Sequence, residues 1–195
     1  MPRVTRLSGL VGGRVRVELD GEPWRTLPLE AVARAGLTEG LELDRFRLRV
    51  LARDLRRRRA LDVAGRALSR RDLSDHDVRK RLRRAGVSST EEEEALAALR
   101  DVGLVDDARF ARRRAEALAA RGRGDAAVRY DLEQHGVRPE EIAEALSLLE
   151  PEHERAARIV ERRGAGPSTA RFLAGRGFDE EAVRAALSAA VALEP

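Results

Sequence analysis

The sequence contains no cysteine, and only one of its 38 basic residues, Lys80, is a lysine. Without cysteine there is no disulfide framework and no thiolate zinc site. Aromatic residues make up 3 % of the chain, too few for the stacking platforms that grip single-stranded nucleic acid. No long apolar run occurs either. The longest uncharged stretch, Ala185 to Leu193, is far shorter than the ~20 residues of a membrane helix. The first residues lack the apolar segment of a secretory signal, so a soluble, cytoplasmic protein is expected. Proline is absent between Pro28 and Pro139. What remains is 43 % hydrophobic residues, mostly Ala and Leu, with 37 % charged residues. That mixture points to amphipathic helices.

The net charge of +4 is unevenly placed. Met1 to Arg59 carries 14 bases and 8 acids, whereas the rest of the chain is close to neutral. A basic first third suggests contact with something acidic, either nucleic acid or an acidic protein face.

The first ~40 residues have strand character. Val15, Val17 and Leu19 alternate with Arg14, Arg16 and Glu18. Asp20-Gly21 follows, a pair suited to a type I′ hairpin turn, and then Trp24 to Leu27. Arg3 to Leu10 supplies a third strand, and Leu29 to Ala35 a short helix ended by Gly36. From Asp44, a candidate N-cap, the period becomes helical, with Phe46, Val50 and Leu55 as the expected inward stripe.

The rest of the chain is a repeat. Leu82, Gly86, Val87 and Leu96 have the same spacing as Leu132, Gly136, Val137 and Leu146, and as Leu173, Gly177, Phe178 and Leu187. Each Leu anchors a helix, the Gly ends it, the next apolar residue turns onto the core, and the second Leu belongs to a following helix. Acids gather where that following helix begins: Glu91 to Glu94, Glu140 and Glu141, and Asp179 to Glu181. They suit the positive end of the helix dipole. With a preceding helix at about 60–69, 107–121 and 152–162, each unit has three helices. The expected fold is mainly α: three tandem three-helix repeats in an elongated body after a small β-rich N-terminal unit. The expected divisions are 1–43 (β-rich unit), 44–59 (linking helix), 60–103, 104–149 and 150–195 (repeats).

No catalytic constellation can be assembled. His76, His135 and His153 fall one per repeat, without metal-ligand spacing. There is no phosphate-loop motif and no nucleophile elbow. Gly122-Arg-Gly124 lacks a preceding strand, so it reads as the end of one helix and the start of the next. Asp106-Asp107 is better read as a helix cap than as an acid–base pair. No enzyme, metal or cofactor is expected.

The basic clusters remain. On the helix from Asp75 to Ala85, Val78, Leu82 and Ala85 face inward. Lys80, Arg83 and Arg84 lie opposite, flanked by Arg79 and Arg81. On the helix from Asp107, Phe110, Ala111, Ala115 and Leu118 face in, and Arg109, Arg112, Arg113 and Glu116 face out. Arg114 falls inside the apolar stripe and is expected to pair with an acid or to reach past the core. The candidate partner- or DNA-binding residues are Arg79, Lys80, Arg83, Arg84, Arg112, Arg113, Arg121, Arg123, Arg129 and Arg176.

These residues resemble the RecX family of RecA regulators. Arg66 to Leu82 (RALSRRDLSDHDVRKRL) is similar to that family's first repeat, and Gly103-Leu-Val-Asp-Asp-Ala-Arg-Phe-Ala111 to its most recognisable motif. Gly122-Arg-Gly124 with Val128 to Leu132 and Gly136 resembles the second repeat, and Arg171 to Phe178 the third. Leu118 stands where the family carries a basic residue. A monomer is expected, and the resemblance implies a non-enzymatic protein that binds the groove of the RecA–DNA filament. It would suppress ATP hydrolysis and strand exchange, and some members also bind DNA. Taken without the resemblance, three short helices with a Gly turn also describe helix-turn-helix units, so a DNA-binding protein acting without RecA is the alternative.

Overall fold

In a computed structural model, residues 1–192 are described, with side chains to residue 190. Residues 193–195, the end of the expected third repeat and of the uncharged run, lie outside them.

The alternation of Val15 and Val17 with arginine predicts a half-buried strand, and both valines are buried while Arg14 and Arg16 face solvent. Strands β1 (Val4–Leu10), β2 (Arg14–Leu19) and β3 (Glu22–Pro28) form an antiparallel sheet in the order β1-β2-β3. Asp20 and Gly21 both take positive φ (51° and 88°), as a type I′ turn requires. Helix α1 (Leu29–Arg34) closes over the sheet, and its Ala31 and Val32 join Val4, Val15, Val17, Leu27 and Leu43 in one core.

Helix α2 (Arg45–Leu68) begins at Asp44, whose carboxylate accepts the amide of Arg47 at 2.7 Å. It corrects two expectations. The inward stripe is Leu48, Leu51 and Leu55, while Phe46 is 71 % exposed. The helix also runs unbroken through Arg56–Arg59, so the linking helix and the first helix of repeat one are a single element. Its first half packs on the β-rich unit through Leu51. Its second half packs on the first repeat through Ala60 and Ala64.

The repeats follow as α2 with α3 (Asp75–Arg84) and α4 (Ser89–Asp101), then α5 (Asp107–Ala120), α6 (Asp125–Gln134) and α7 (Pro139–Ser147), and then α8 (Glu152–Arg163), α9 (Pro167–Gly175) and α10 (Glu180–Ala192). Each has its own core, built on Leu82 and Leu96, on Leu132 and Ile142, and on Leu173 and Val183. The corners are built alike. The amides of Val87, Val137 and Phe178 donate to the carbonyls of Leu82, Leu132 and Leu173 at 3.1–3.2 Å, with the preceding glycine at positive φ. This six-residue closure satisfies a carbonyl that the helix end would otherwise leave open.

The repeats join through the ends of their middle helices. Gly124 at the start of α6 donates its amide to the carbonyl of Arg176 at the end of α9 (3.0 Å), and Ala126 donates to Gly177 (3.1 Å). One joint earlier, Ser74 at the start of α3 donates its hydroxyl to the carbonyl of His135 at the end of α6 (2.7 Å). The carbonyl end of α9 therefore meets the start of α6, and the carbonyl end of α6 meets the start of α3. A carboxylate from the following repeat completes each joint. Asp107 accepts the amide of Asp75 at 2.7 Å, and Glu152 accepts the amide of Asp125 at 2.6 Å.

Candidate partner-binding surface

The charged residues sort by whether the fold already uses them. Glu92, from the acidic start of α4, is 1 % exposed and lies between two arginines of α3. Arg83 donates to both its oxygens at 2.9 Å, and Arg79 adds a bond at 3.1 Å. These bonds, those of Arg83 first, hold the Glu92 carboxyl below the usual range despite its burial. Arg79 also pairs with Asp75 and Glu93. Both arginines are thus already engaged within the fold, although Arg83 remains exposed. They tie α3 to α4, and the acids opening α4 are their partners. Helical periodicity places a side chain on a face but does not show what the next helix brings against that face.

Arg113 is likewise engaged, with Asp72 at 2.6 Å. Arg114 is bidentate with Asp131 at 2.7 and 2.8 Å, the acid expected for an arginine in the apolar stripe. Arg176 donates to the carbonyl of Arg121 at 3.1 Å and stacks on Phe172. Arg121 and Arg176 meet there with Arg162 and Arg163 around Phe172, in a groove of about 320 Å³ that no carboxylate lines. Lys80, Arg84, Arg112, Arg121, Arg123 and Arg129 are exposed and have no ion-pair partner among the described residues.

A second basic groove, of about 570 Å³, joins Arg84 to four arginines that were not among the expected contacts: Arg66, Arg70, Arg71 and Arg81. Its floor is Val63, Ala67 and Ala85. The sequence carries part of the signal, since Arg66 and Arg70 are four apart and Arg81 and Arg84 three apart. The turn after Leu68 hides that the two pairs converge.

The acidic pair caps two different helices. Asp106 accepts the amide of Arg109 at 2.9 Å at the start of its own helix, while Asp107 caps α3 across the joint. Burial pushes the Asp107 carboxyl above its ordinary value. His135 bonds Asp77 at 2.8 Å through Nδ1 and packs its ring edge-on to Phe110. Among the described residues, no three His, Cys, Asp or Glu side chains are grouped so as to hold a metal ion. Among the described residues, no helix is long and apolar enough to cross a membrane.

The family model of the RecX second three-helix domain matches residues 106–146, from the Asp106 cap through α7. Regulatory protein RecX of Chromohalobacter salexigens is 37 % identical over 136 residues, covering 65 % of this chain and 90 % of that protein. The chain belongs to the RecX family. Regulatory protein RecX of Halorhodospira halophila is 34 % identical over 139 residues, covering 66 % of this chain and 86 % of its own length. A crystal structure of regulatory protein RecX shares the fold with a TM-score of 0.78 at 21 % identity, covering 94 % of this chain and 98 % of that one. The crystal structure of RecX from Lactobacillus salivarius gives 0.64 at 15 % identity, over 71 % and 98 %. The chain thus belongs to a family of regulatory proteins and shares their helical-repeat fold.

Proposed function

We propose that this chain is a non-enzymatic negative regulator of RecA that binds the RecA–DNA filament and suppresses its ATPase and strand-exchange activities, thereby limiting recombination and the SOS response. It acts in the cytoplasm as a monomer. The β-rich unit and the three repeats serve as its successive parts, with the first half of α2 linking them. The observation that carries the proposal is the end-to-end joining of α9, α6 and α3. A series of repeats joined in this way can span neighbouring subunits of a helical filament and oppose the motions of ATP turnover. Contact falls to exposed basic residues that the fold leaves without carboxylates: Lys80 in the first repeat, and Arg112, Arg121, Arg123 and Arg129 in the second.

Base reading by a helix-turn-helix fits less well. The third helix of such a unit enters the major groove with its N-terminal residues. Here α4, α7 and α10 open on Glu91 and Glu92, Glu140 and Glu141, and Glu180 and Glu181. The test is RecA ATPase on single-stranded DNA, titrated with the wild-type chain and with a Lys80→Glu/Arg112→Glu/Arg129→Glu variant. Substoichiometric inhibition by the wild type, with the variant folded and markedly weaker, supports the proposal. Equal inhibition by both removes this contact surface, and no inhibition by the wild type removes the function.

A further inference from the structure

Where the second repeat meets the third, the end of α5 lies against α8 and α9 around the groove of about 320 Å³. Its floor is apolar, made of Ala120, Ile159 and Phe172. Ile159 belongs to the core of the third repeat, and Phe172 packs half-buried against that core. A β-carbon on Gly122 would stand only 3.6 Å from Cδ1 of Ile159, so the bare glycine leaves the floor open on that side. Arg121, Arg162, Arg163 and Arg176 surround the floor, and no carboxylate lines the groove among the described residues. The guanidinium of Arg163 lies 4.0 Å from the centre of the Phe172 ring and that of Arg176 4.8 Å. The bond from Arg176 to the carbonyl of Arg121 fixes it there. Stacking orients a planar guanidinium and leaves N–H edges for other partners. Exposed arginines occur elsewhere on the chain; here they frame an aromatic ring and an apolar floor.

We propose that this groove docks an acidic segment of a partner protein, which lays one aliphatic side chain on Ile159 and Phe172 and sets carboxylates against the arginines. A carboxylate matches the guanidinium fork and accepts two parallel hydrogen bonds from it. A central apolar anchor framed by charged contacts is how short acidic motifs gain both affinity and specificity. A phosphodiester backbone would satisfy the arginines but bring no apolar group to the floor. A base would find the Phe172 ring already stacked on guanidinium groups. Of these residues only Arg121 is also among the RecA contacts proposed above, and the inference needs no RecA.

The test is fluorescence anisotropy with the full chain and without RecA. It uses two labelled peptides of equal length and charge, rich in Glu and Ser, one with a central Leu and its twin with Ser there. The Leu peptide should bind about tenfold more tightly, the gain expected from burying much of one aliphatic side chain. Arg162→Gln/Arg163→Gln should weaken both peptides at least about fivefold. Phe172→Ala should bring the twins within about twofold of each other. If Phe172→Ala loses its helical circular-dichroism spectrum, Ala120→Gln takes its place. Ala120 is exposed, so its replacement spares the core, fills the groove and should erase the preference for Leu. Equal binding of the twins to the wild-type chain, or a preference that survives in the groove variants, would overturn the proposal. So would displacement of the Leu peptide by a mixed-sequence single-stranded oligonucleotide more readily than by unlabelled Leu peptide at equal charge, which would mark a nucleic-acid surface.

Discussion

Gly124 and Gly177 meet backbone to backbone where the second repeat joins the third, so closely that a β-carbon on Gly124 would overlap the carbonyl of Gly177 and the amide of Phe178. A β-carbon on Gly177 would stand 2.6 Å from the amide nitrogen of Ala127, and its φ is +82°. Neither clash is with the far end of a flexible side chain that could move aside. Gly124→Ala should therefore destabilise the protein by about 1–3 kcal/mol by overpacking the joint. Gly166 also precedes a helix, but a β-carbon there meets nothing, so Gly166→Ala is the control and should change little. Urea denaturation of both variants decides it, and equal midpoints would refute the joint as described.

Glu92 predicts a pH dependence. Its carboxyl is held below the ordinary 4.5, chiefly by the hydrogen bonds of Arg83. The unfolded chain then takes up the proton first as pH falls. The stabilisation is complete above about pH 4.5 and disappears as pH drops through the lowered folded-state value. Glu92→Gln, which keeps the shape but loses the charge and one acceptor oxygen, should cost about 2 kcal/mol near neutral pH, because two of the three arginine bonds weaken and the third is lost. The loss should shrink in acid, where wild-type Glu92 is itself neutral. Arg83, 67 % exposed on its side chain, returns to water when its partner is lost, so Glu92→Gln should leave the chain folded. Denaturation midpoints near pH 7 and pH 3 test this, and a pH-independent difference would contradict it.

Asp107 has the opposite sign. Burial, with the nearby Asp75 charge, raises its carboxyl above the ordinary 3.8, although the amide of Asp75 favours the charged form. The folded state therefore binds the proton more readily than the unfolded chain. The stabilising increment is complete below about pH 3.8 and is lost as pH rises through the elevated folded value. At neutral pH the charge is a net burden, while the acceptor is needed. Asp107→Asn should thus be as stable as wild type or more so at pH 7, whereas Asp107→Ala should lose about 1 kcal/mol with the cap. Thermal unfolding of the two variants tests it, and Asn behaving like Ala would show that the charge itself holds α3.

Much of this architecture was legible because it is local. The Leu–Gly–apolar spacing encodes a helix end, a left-handed residue and a turn onto the core within six positions, and all three corners close through the same bond. The hairpin at Asp20-Gly21 and the Asp44 cap are equally local. What escaped was non-local. Nothing near Arg83 in the chain shows that Glu92 folds back over it, and Asp107 reads as a cap for its own helix rather than for α3. The face of Arg66 cannot be extended by helical periodicity past Leu68, so its convergence with Arg81 and Arg84 depends on the turn. Phe46 misled because an aromatic beside a cap suggests an inward stripe, yet Leu48 and Leu51 are the residues that meet the sheet.

The continuity of α2 carries the last prediction. The helix shares Leu51 with the core of the β-rich unit and Ala60 and Ala64 with the first repeat, so its middle, Arg56–Arg59, is the mechanical link between them. Arg57 is exposed and makes no ion pair among the described residues, so replacing it removes no ion pair. Proline at 57 deletes one backbone hydrogen bond and clashes with the preceding turn, at a cost of about 3 kcal/mol or more if the helix stays straight. Arg57→Pro should therefore uncouple the two halves rather than disrupt either core. In calorimetry the β-rich unit should melt earlier than the repeats, whereas Arg57→Ala, with better helix propensity and no clash, should leave the unfolding profile unchanged. A single unshifted transition for Arg57→Pro would mean that the halves are held together by contacts other than the helix.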